Sequence, residues 1–248
     1  MPPQCLFCDQ PAGSREHLWG AWIHARKNFG PLKISIAGSP EKVINNAEQK
    51  IKTVCGKCNN GWMSDLEAQN IPLIGCLMQD IAAPLDASQQ SLLAVWAIKT
   101  AMVLDSVKGR KKSLFYQRSE CVAMREHHKV PERTRIWIGR SSVGGLGAYG
   151  TDLAIILPDM LKVGVGCATT IIVGHLAVQV LATHIFPEHQ ARNVGDIPPK
   201  AGNWDEMLHP IWPIGGRSIM WPPSITFTAS GEHSIARLMG RWRIGRAV

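Results

Sequence analysis

Two cysteine pairs of the same spacing, Cys5-Leu6-Phe7-Cys8 and Cys55-Gly56-Lys57-Cys58, lie near the start of the chain. A Cys-x-x-Cys turn presents two sulfurs to one ion, and four thiolates complete a tetrahedral set. Cys5, Cys8, Cys55 and Cys58 are therefore predicted to hold one structural Zn²⁺. This constrains the fold more than any other feature, because the ends of a long intervening stretch must meet at one point. A knuckle, hairpin and helix arrangement satisfies it, with the first pair on a turn and the second opening a helix.

At 248 residues the chain is long enough for one large or two modest domains with cores of their own. The expected organisation is an N-terminal zinc-binding domain over 1–70, a connector over 71–87 and a basic α+β domain over 88–248. Split near Asp86, the charges balance before the boundary at eight of each sign, and the +8 excess falls entirely after it. Such a field attracts polyanions without giving sequence specificity. No basic leader with an apolar core precedes the first pair, so a cytoplasmic location is expected. Of the seven cysteines, Cys76, Cys121 and Cys167 lie outside the metal set and read as small core residues.

Along the chain, Pro2, Pro3, Pro11 and Gly13 give turn chemistry around the first pair. Leu18, Trp19, Trp22 and Ile23 have helical spacing, with a short strand bending after His17 as the alternative. Residues 31–52 read as an irregular hairpin or loop returning to the second pair. A helix from the second pair is expected to end near Gln69, before Pro72, and the stretch from Ile71 to Ala87 to be irregular. Ser91 to Val107 reads as a buried helix ending in a basic turn over Lys108 to Lys112. Strands are expected over 135–139 and 152–157, and two more, joined near Gly174-His175, within the uncharged stretch Val163 to Phe186. That stretch is long enough to cross a bilayer, but its Gly, Thr and β-branched content favours strands. Residues 196–224, rich in Pro and Trp, read as an ordered loop packed by aromatics.

Closing both cysteine pairs on one ion brings Glu16-His17 beside Asn59, which comes directly after the last cysteine. A carboxylate and an amide oxygen are hard ligands suited to Mg²⁺, and a neutral histidine beside them can take a proton from water. Those are the parts of a one-metal nuclease. Cys5-x-x-Cys8, Glu16-His17 and Val54-Cys55-x-x-Cys58-Asn59-Asn60-Gly61-Trp62-Met63 together resemble the HNH, or ββα-metal, endonucleases, in the subgroup with a treble-clef zinc site. The resemblance covers about the first seventy residues. It implies an α+β fold with an N-terminal treble-clef zinc/ββα-metal domain followed by a larger α+β domain. It makes Glu16 and Asn59 the Mg²⁺ ligands and His17 the general base of a DNA endonuclease, with RNA left open as a substrate. Glu16 stands where the family more often has Asp. The family's middle asparagine has two candidates, Asn45 and Asn46, and Asn60 is an alternative ligand to Asn59.

Arg237, Arg241, Arg243 and Arg246 form an acid-free terminal segment suited to phosphate contacts, or equally to a solvated tail. Trp204, Trp212 and Trp221 are able to stack bases, although beside proline they more often pack a loop. His24, His127, His128, His175, His184, His189, His209 and His233 show no ligand spacing with carboxylates and read as surface or satisfied core residues. The rival to an endonuclease is a non-catalytic zinc module that binds nucleic acid or a protein partner.

Overall fold

The computed structural model describes residues 3–17, 19–27, 29, 32–34, 42–44, 50–106, 114–191 and 207–227. Asn45, Asn46, Lys108 to Lys112, Trp204, His233 and the arginines from 237 onward lie outside the described residues. Within them the fold mixes helices and sheets, as the α+β reading expects.

β1 (Glu16–His17) pairs antiparallel with β4 (Lys50–Ile51), setting Glu16 opposite Ile51 and His17 opposite Lys50. Of the two readings of this segment, the strand holds at His17, and α1 (Ala21–Arg26) begins after Gly20. Between β1 and β4 in the chain, β2 (Leu32–Ile34) and β3 (Lys42–Ile44) pair antiparallel. The second cysteine pair opens α2 (Gly56–Cys58), which widens into a π-helical segment over Asn59–Met63 and breaks at Gly61. α3 (Ser64–Met78) resumes beyond the break.

Helix α3 corrects the expectation that proline would end it near Gln69. Pro72 lies inside the helix, and both Pro72 and Ala68, whose carbonyl loses its donor, are exposed to water. An interior proline costs about 3 kcal/mol. Burial of Leu73, Ile74, Leu77 and Met78 just beyond it offsets that cost. The stretch from 71 to 87 is thus not irregular: after α3 it forms β5 (Ala83–Leu85), paired antiparallel with β9 (Ile219–Trp221).

α4 (Ala87–Ser106) is the buried helix the sequence predicts, with Trp96, Ile98 and Met102 in the core. α5 (Arg118–His127) has no counterpart among the elements expected from sequence. It buries Cys121 and Met124, one helical turn apart, on an otherwise polar helix with a clear amphipathic period. Its start is marked by a reciprocal capping box between Gln117 and Glu120.

The remainder is built on a long antiparallel ribbon, β6 (Thr134–Ile156) against β7 (Lys162–Ile185). β8 (His209–Trp212) and β10 (Thr226–Phe227) pair with the other edge of β6, β8 antiparallel and β10 parallel. The expected break into two strands near Gly174-His175 is replaced by a corner within one strand. Gly174 has φ +60° and Gly144 φ +64°, and the ribbon's register shifts between Arg140 and Gly145. The two halves of the ribbon then face each other. Thr170 Oγ1 donates to Gln179 Oε1 at 2.6 Å, and the Phe186 amide donates to the Val163 carbonyl at 2.9 Å. Trp137 and Leu181 of one half pack with Leu153 and Ala168 of the other. Both faces of β7 are buried, which explains an uncharged sequence without a membrane. No helix among the described residues is long and apolar enough to cross one.

One apolar cluster runs from Phe7, Val54 and Met63 through Leu66, Ile74 and Trp96 to Ile138 and Val178. The cysteine end and the ribbon therefore share a core. Arg140 of β6 forms an ion pair with Asp80 just past α3, its Nε lying 2.8 Å from Oδ1. A Cβ on Gly174 would overlap the Met78 carbonyl oxygen, so the ribbon corner seats directly on the end of α3.

Candidate metal centre

The four expected cysteines come together. Their sulfurs all lie within 4.8 Å of one another, all four residues are buried, and none is in a disulfide. Cys8 Sγ is 3.5 Å from Cys55 Sγ and 3.6 Å from Cys58 Sγ. A tetrahedron with bonds of about 2.3 Å has sulfur–sulfur edges of about 3.8 Å, so these spacings fit a four-thiolate ion such as zinc. Burial pushes the Cys5 and Cys58 thiols up. Burial acts upward on Cys55 too, but the Cys58 amide and the neighbouring thiols outweigh it and bring Cys55 down to about 7. Filling the site therefore means displacing protons from buried thiols, which couples metal binding to pH.

A further feature fits this donor set. The indole N–H of Trp62 is buried without a hydrogen-bond partner, yet it faces Cys58, where its influence lowers the thiol. A metal-bound thiolate is the acceptor that such an orphaned donor requires. The Trp62 ring packs edge-on against Phe7 at 5.0 Å between centroids. The first knuckle is gripped from a distance: Arg118 of α5 donates Nη1–H to the carbonyls of Cys5 at 2.6 Å and Leu6 at 2.8 Å, and Nη2–H to Asp9 Oδ1 at 2.9 Å. Of the other cysteines, Cys121 and Cys167 are buried core residues and Cys76 is half-buried, and none of the three is in a disulfide.

The segment between the first pair and β1 runs beside the approach to the second. The amides of Gly13 and Ser14 both donate to the Val54 carbonyl at 3.1 Å, and β1 pairs with β4 just upstream. Asn59 Nδ2–H donates to Ser14 Oγ at 2.8 Å, while the neighbouring Asn60 is exposed. Asn59 lies in the π-helical turn, a form that recurs at functional positions. His17 is half-buried and has a partner within the fold. The strand carrying Glu16 and His17 and the helix start carrying Asn59 thus belong to one local structure.

The helix just beyond β1 is held firmly. Trp22 Nε1–H of α1 donates to Glu67 Oε2 at 2.6 Å, and Lys99 Nζ of α4 contacts Glu67 Oε1 at 2.6 Å. Trp96 Nε1–H adds a longer bond of 3.3 Å to the same oxygen. A side chain on Gly20 would collide with Trp22 and Glu67, so glycine lets α1 fold back onto α3. Burial alone would raise the Glu67 carboxyl, but the Lys99 charge and hydrogen bond, with those of Trp22 and Trp96, hold it below its ordinary range. Nothing in the cysteine spacing announces this buried pair. Its one trace in the sequence is Lys99 inside an apolar helix.

Of the expected stacking tryptophans, Trp221 is 1 % exposed and buried in the core, which supports packing over base stacking at that position, but it does so from strand β9: where an ordered loop is expected over 196–224, the described residues hold the paired strands β8 and β9. No protein-family model, no curated protein and no solved structure matches the chain.

Proposed function

We propose that the protein is a metal-dependent endonuclease of the HNH type, hydrolysing phosphodiester bonds of DNA, with zinc as the structural ion of Cys5, Cys8, Cys55 and Cys58 in a treble-clef arrangement. The observation that carries this reading is the strand pairing of β1 with β4 together with the Ser14–Asn59 hydrogen bond. These tie the Glu16-His17 strand and the helix start into one unit whose ends close at the cysteines.

In this reading Glu16 and Asn59 hold one Mg²⁺, and His17 takes the proton from the attacking water. Using its Nδ2–H on Ser14 leaves the Asn59 amide oxygen as the atom available for a hard cation, which favours Asn59 over Asn60. A bound divalent ion would neutralise charge on the scissile phosphate and the leaving oxygen. The Glu67 network anchors α1, the first helix after β1. The basic remainder of the chain, with Arg241, Arg243 and Arg246, supplies non-specific attraction to the nucleic-acid backbone.

Plasmid nicking by wild type and His17→Ala, each with and without Mg²⁺ and with zinc content measured, tests this. Cutting that needs Mg²⁺ and falls by about a hundredfold or more in the variant is expected. Zinc-loaded protein that leaves DNA and RNA intact sinks the reading. The Arg118 clamp favours a second reading, a zinc module with no catalytic part. It ties the knuckle to α5 as a structural brace, and binding of nucleic acid without cleavage, indifferent to Glu16→Ala, would establish it.

A further inference from the structure

Away from the four-cysteine centre, a second group of metal-ligating side chains converges where the end of α4 meets the ribbon. Asp105 stands on the last turn of α4, Asp152 on β6 and Cys167 on β7, and one ligand atom of each lies within 4.8 Å of the other two. Asp152 and Cys167 are direct cross-strand partners in the β6–β7 ladder, which sets the carboxylate and the thiol on one face of the ribbon. The third ligand comes from a different layer of the fold. The Phe115 amide donates to Asp105 Oδ2 at 2.7 Å and holds that carboxylate in place. Asp105 and Cys167 are buried, whereas Asp152 is exposed and leaves the group open to solvent on one side.

A fourth residue bears on what the trio holds. Tyr116, which follows Phe115 in the chain, is 3 % exposed, and its hydroxyl is buried with no hydrogen-bond partner among the described residues. Burial, and after it the charges of Cys167 and then Asp105, keep this hydroxyl protonated, so it is a donor within reach of the trio's field. An orphaned buried donor calls for an acceptor that the chain itself does not give. An ion with three protein ligands keeps a water, and that water or the ligated thiolate is such an acceptor.

We infer that Asp105, Asp152 and Cys167 form a second metal site, for a divalent transition-metal ion of the Zn²⁺ or Co²⁺ kind, with Tyr116 as its outer hydrogen-bond donor. The donor set selects the class of ion. Mg²⁺ and Ca²⁺ take oxygen ligands alone, whereas two carboxylates with one thiolate suit Zn²⁺ or Co²⁺. Binding forms the metal–sulfur bond and releases the Cys167 thiol proton to solvent. With one sulfur instead of four and one exposed ligand, the site is weaker than the four-cysteine centre and fills after it. The three residues have other interactions within the fold, which an arriving ion shares or replaces. The site stands independently of the four-cysteine centre and of any nuclease activity.

The test titrates Co²⁺ into the full-length protein with its four-cysteine centre already filled by Zn²⁺, following cobalt–thiolate absorption and released zinc. Saturable uptake of one Co²⁺ per chain is expected, with the intensity of one sulfur ligand and no loss of zinc. Asp152→Asn alters an exposed side chain, so it tests the site without threatening the fold, and affinity weaker by about tenfold or more is expected. Cys167→Ala should abolish the cobalt–thiolate band, while Cys76→Ala, outside the trio, should leave it unchanged. Tyr116→Phe should weaken binding by about threefold or more. No saturable uptake beyond the four-cysteine centre overturns the inference and leaves the two carboxylates to side-chain cations. A band that survives Cys167→Ala, or affinity unchanged in Asp152→Asn, overturns it as well.

Discussion

The cysteine end and the β6–β7 ribbon both bring distant residues together, by opposite means. At the cysteine end four sulfurs meet through short strands and turns, with β1 and β4 only two residues each. The ribbon closes through a long ladder, interrupted at the corner between Arg140 and Gly145, and through almost complete burial of β7. Strands so short cannot stabilise themselves, so the first region relies on side chains reaching in from outside and on whatever metal its four sulfurs can hold. The second depends on apolar area and on the shape of a corner. The same chain therefore has one region sensitive to ligand chemistry and one sensitive to volume.

Cys58→Ser should separate them most sharply. It leaves three thiolates, and structural zinc sites supply about 10 kcal/mol or more of binding free energy. We expect loss of stoichiometric zinc by elemental analysis and early proteolysis ahead of α3, with the ribbon amides still protected from hydrogen exchange. Uniform loss of protection would show that the shared core makes the two regions one cooperative unit.

Lys99→Met probes the joint between them. It strands the Glu67 carboxylate among Trp22 and Trp96, at a cost of about 3–5 kcal/mol measured by urea unfolding. The wild-type pair also predicts an acid limb. Because Glu67 is depressed below its ordinary value of 4.5, its contribution is fully present above that pH and is lost as pH falls through the lower folded value. The variant should lose that part of the slope.

Gly174→Ala should act on the ribbon corner and its seat on α3, away from the cysteines. The added methyl meets the Met78 carbonyl in a backbone conformation that disfavours side chains, for a loss of about 2–3 kcal/mol with zinc content unchanged. A variant as stable as wild type would mean that α3 and the corner are not seated against each other.

How legible these two regions are in the sequence reflects the range of the forces that make them. Cysteine spacing is a local pattern with a chemical meaning, so the four-sulfur cluster can be read directly, and with it the closeness of the 13–17 segment to the second pair. Pro72 misleads because the penalty for proline is local, whereas the burial of Leu73, Ile74 and Leu77 that overrides it lies in tertiary structure. Gly174 reads as a break, but whether a left-handed glycine makes a hairpin or a corner depends on what its neighbours pair with. Here Gly174 faces Gly145 and Leu176 faces Arg140 of β6, so the strand turns and continues. His184 shows no partner in its own stretch of sequence because its carboxylate, Glu120, lies 64 residues away on a separate helix.

Arg118 gives the molecule an order of assembly. The carbonyls it holds belong to Cys5 and Leu6, 113 and 112 residues earlier. During synthesis both cysteine pairs emerge long before the guanidinium that braces the first of them. The knuckle can capture its ion early, in a form still open to exchange. It is locked only when α5, more than a hundred residues further on, has been made, so the last step in closing the four-cysteine site belongs to a residue outside the cysteine set.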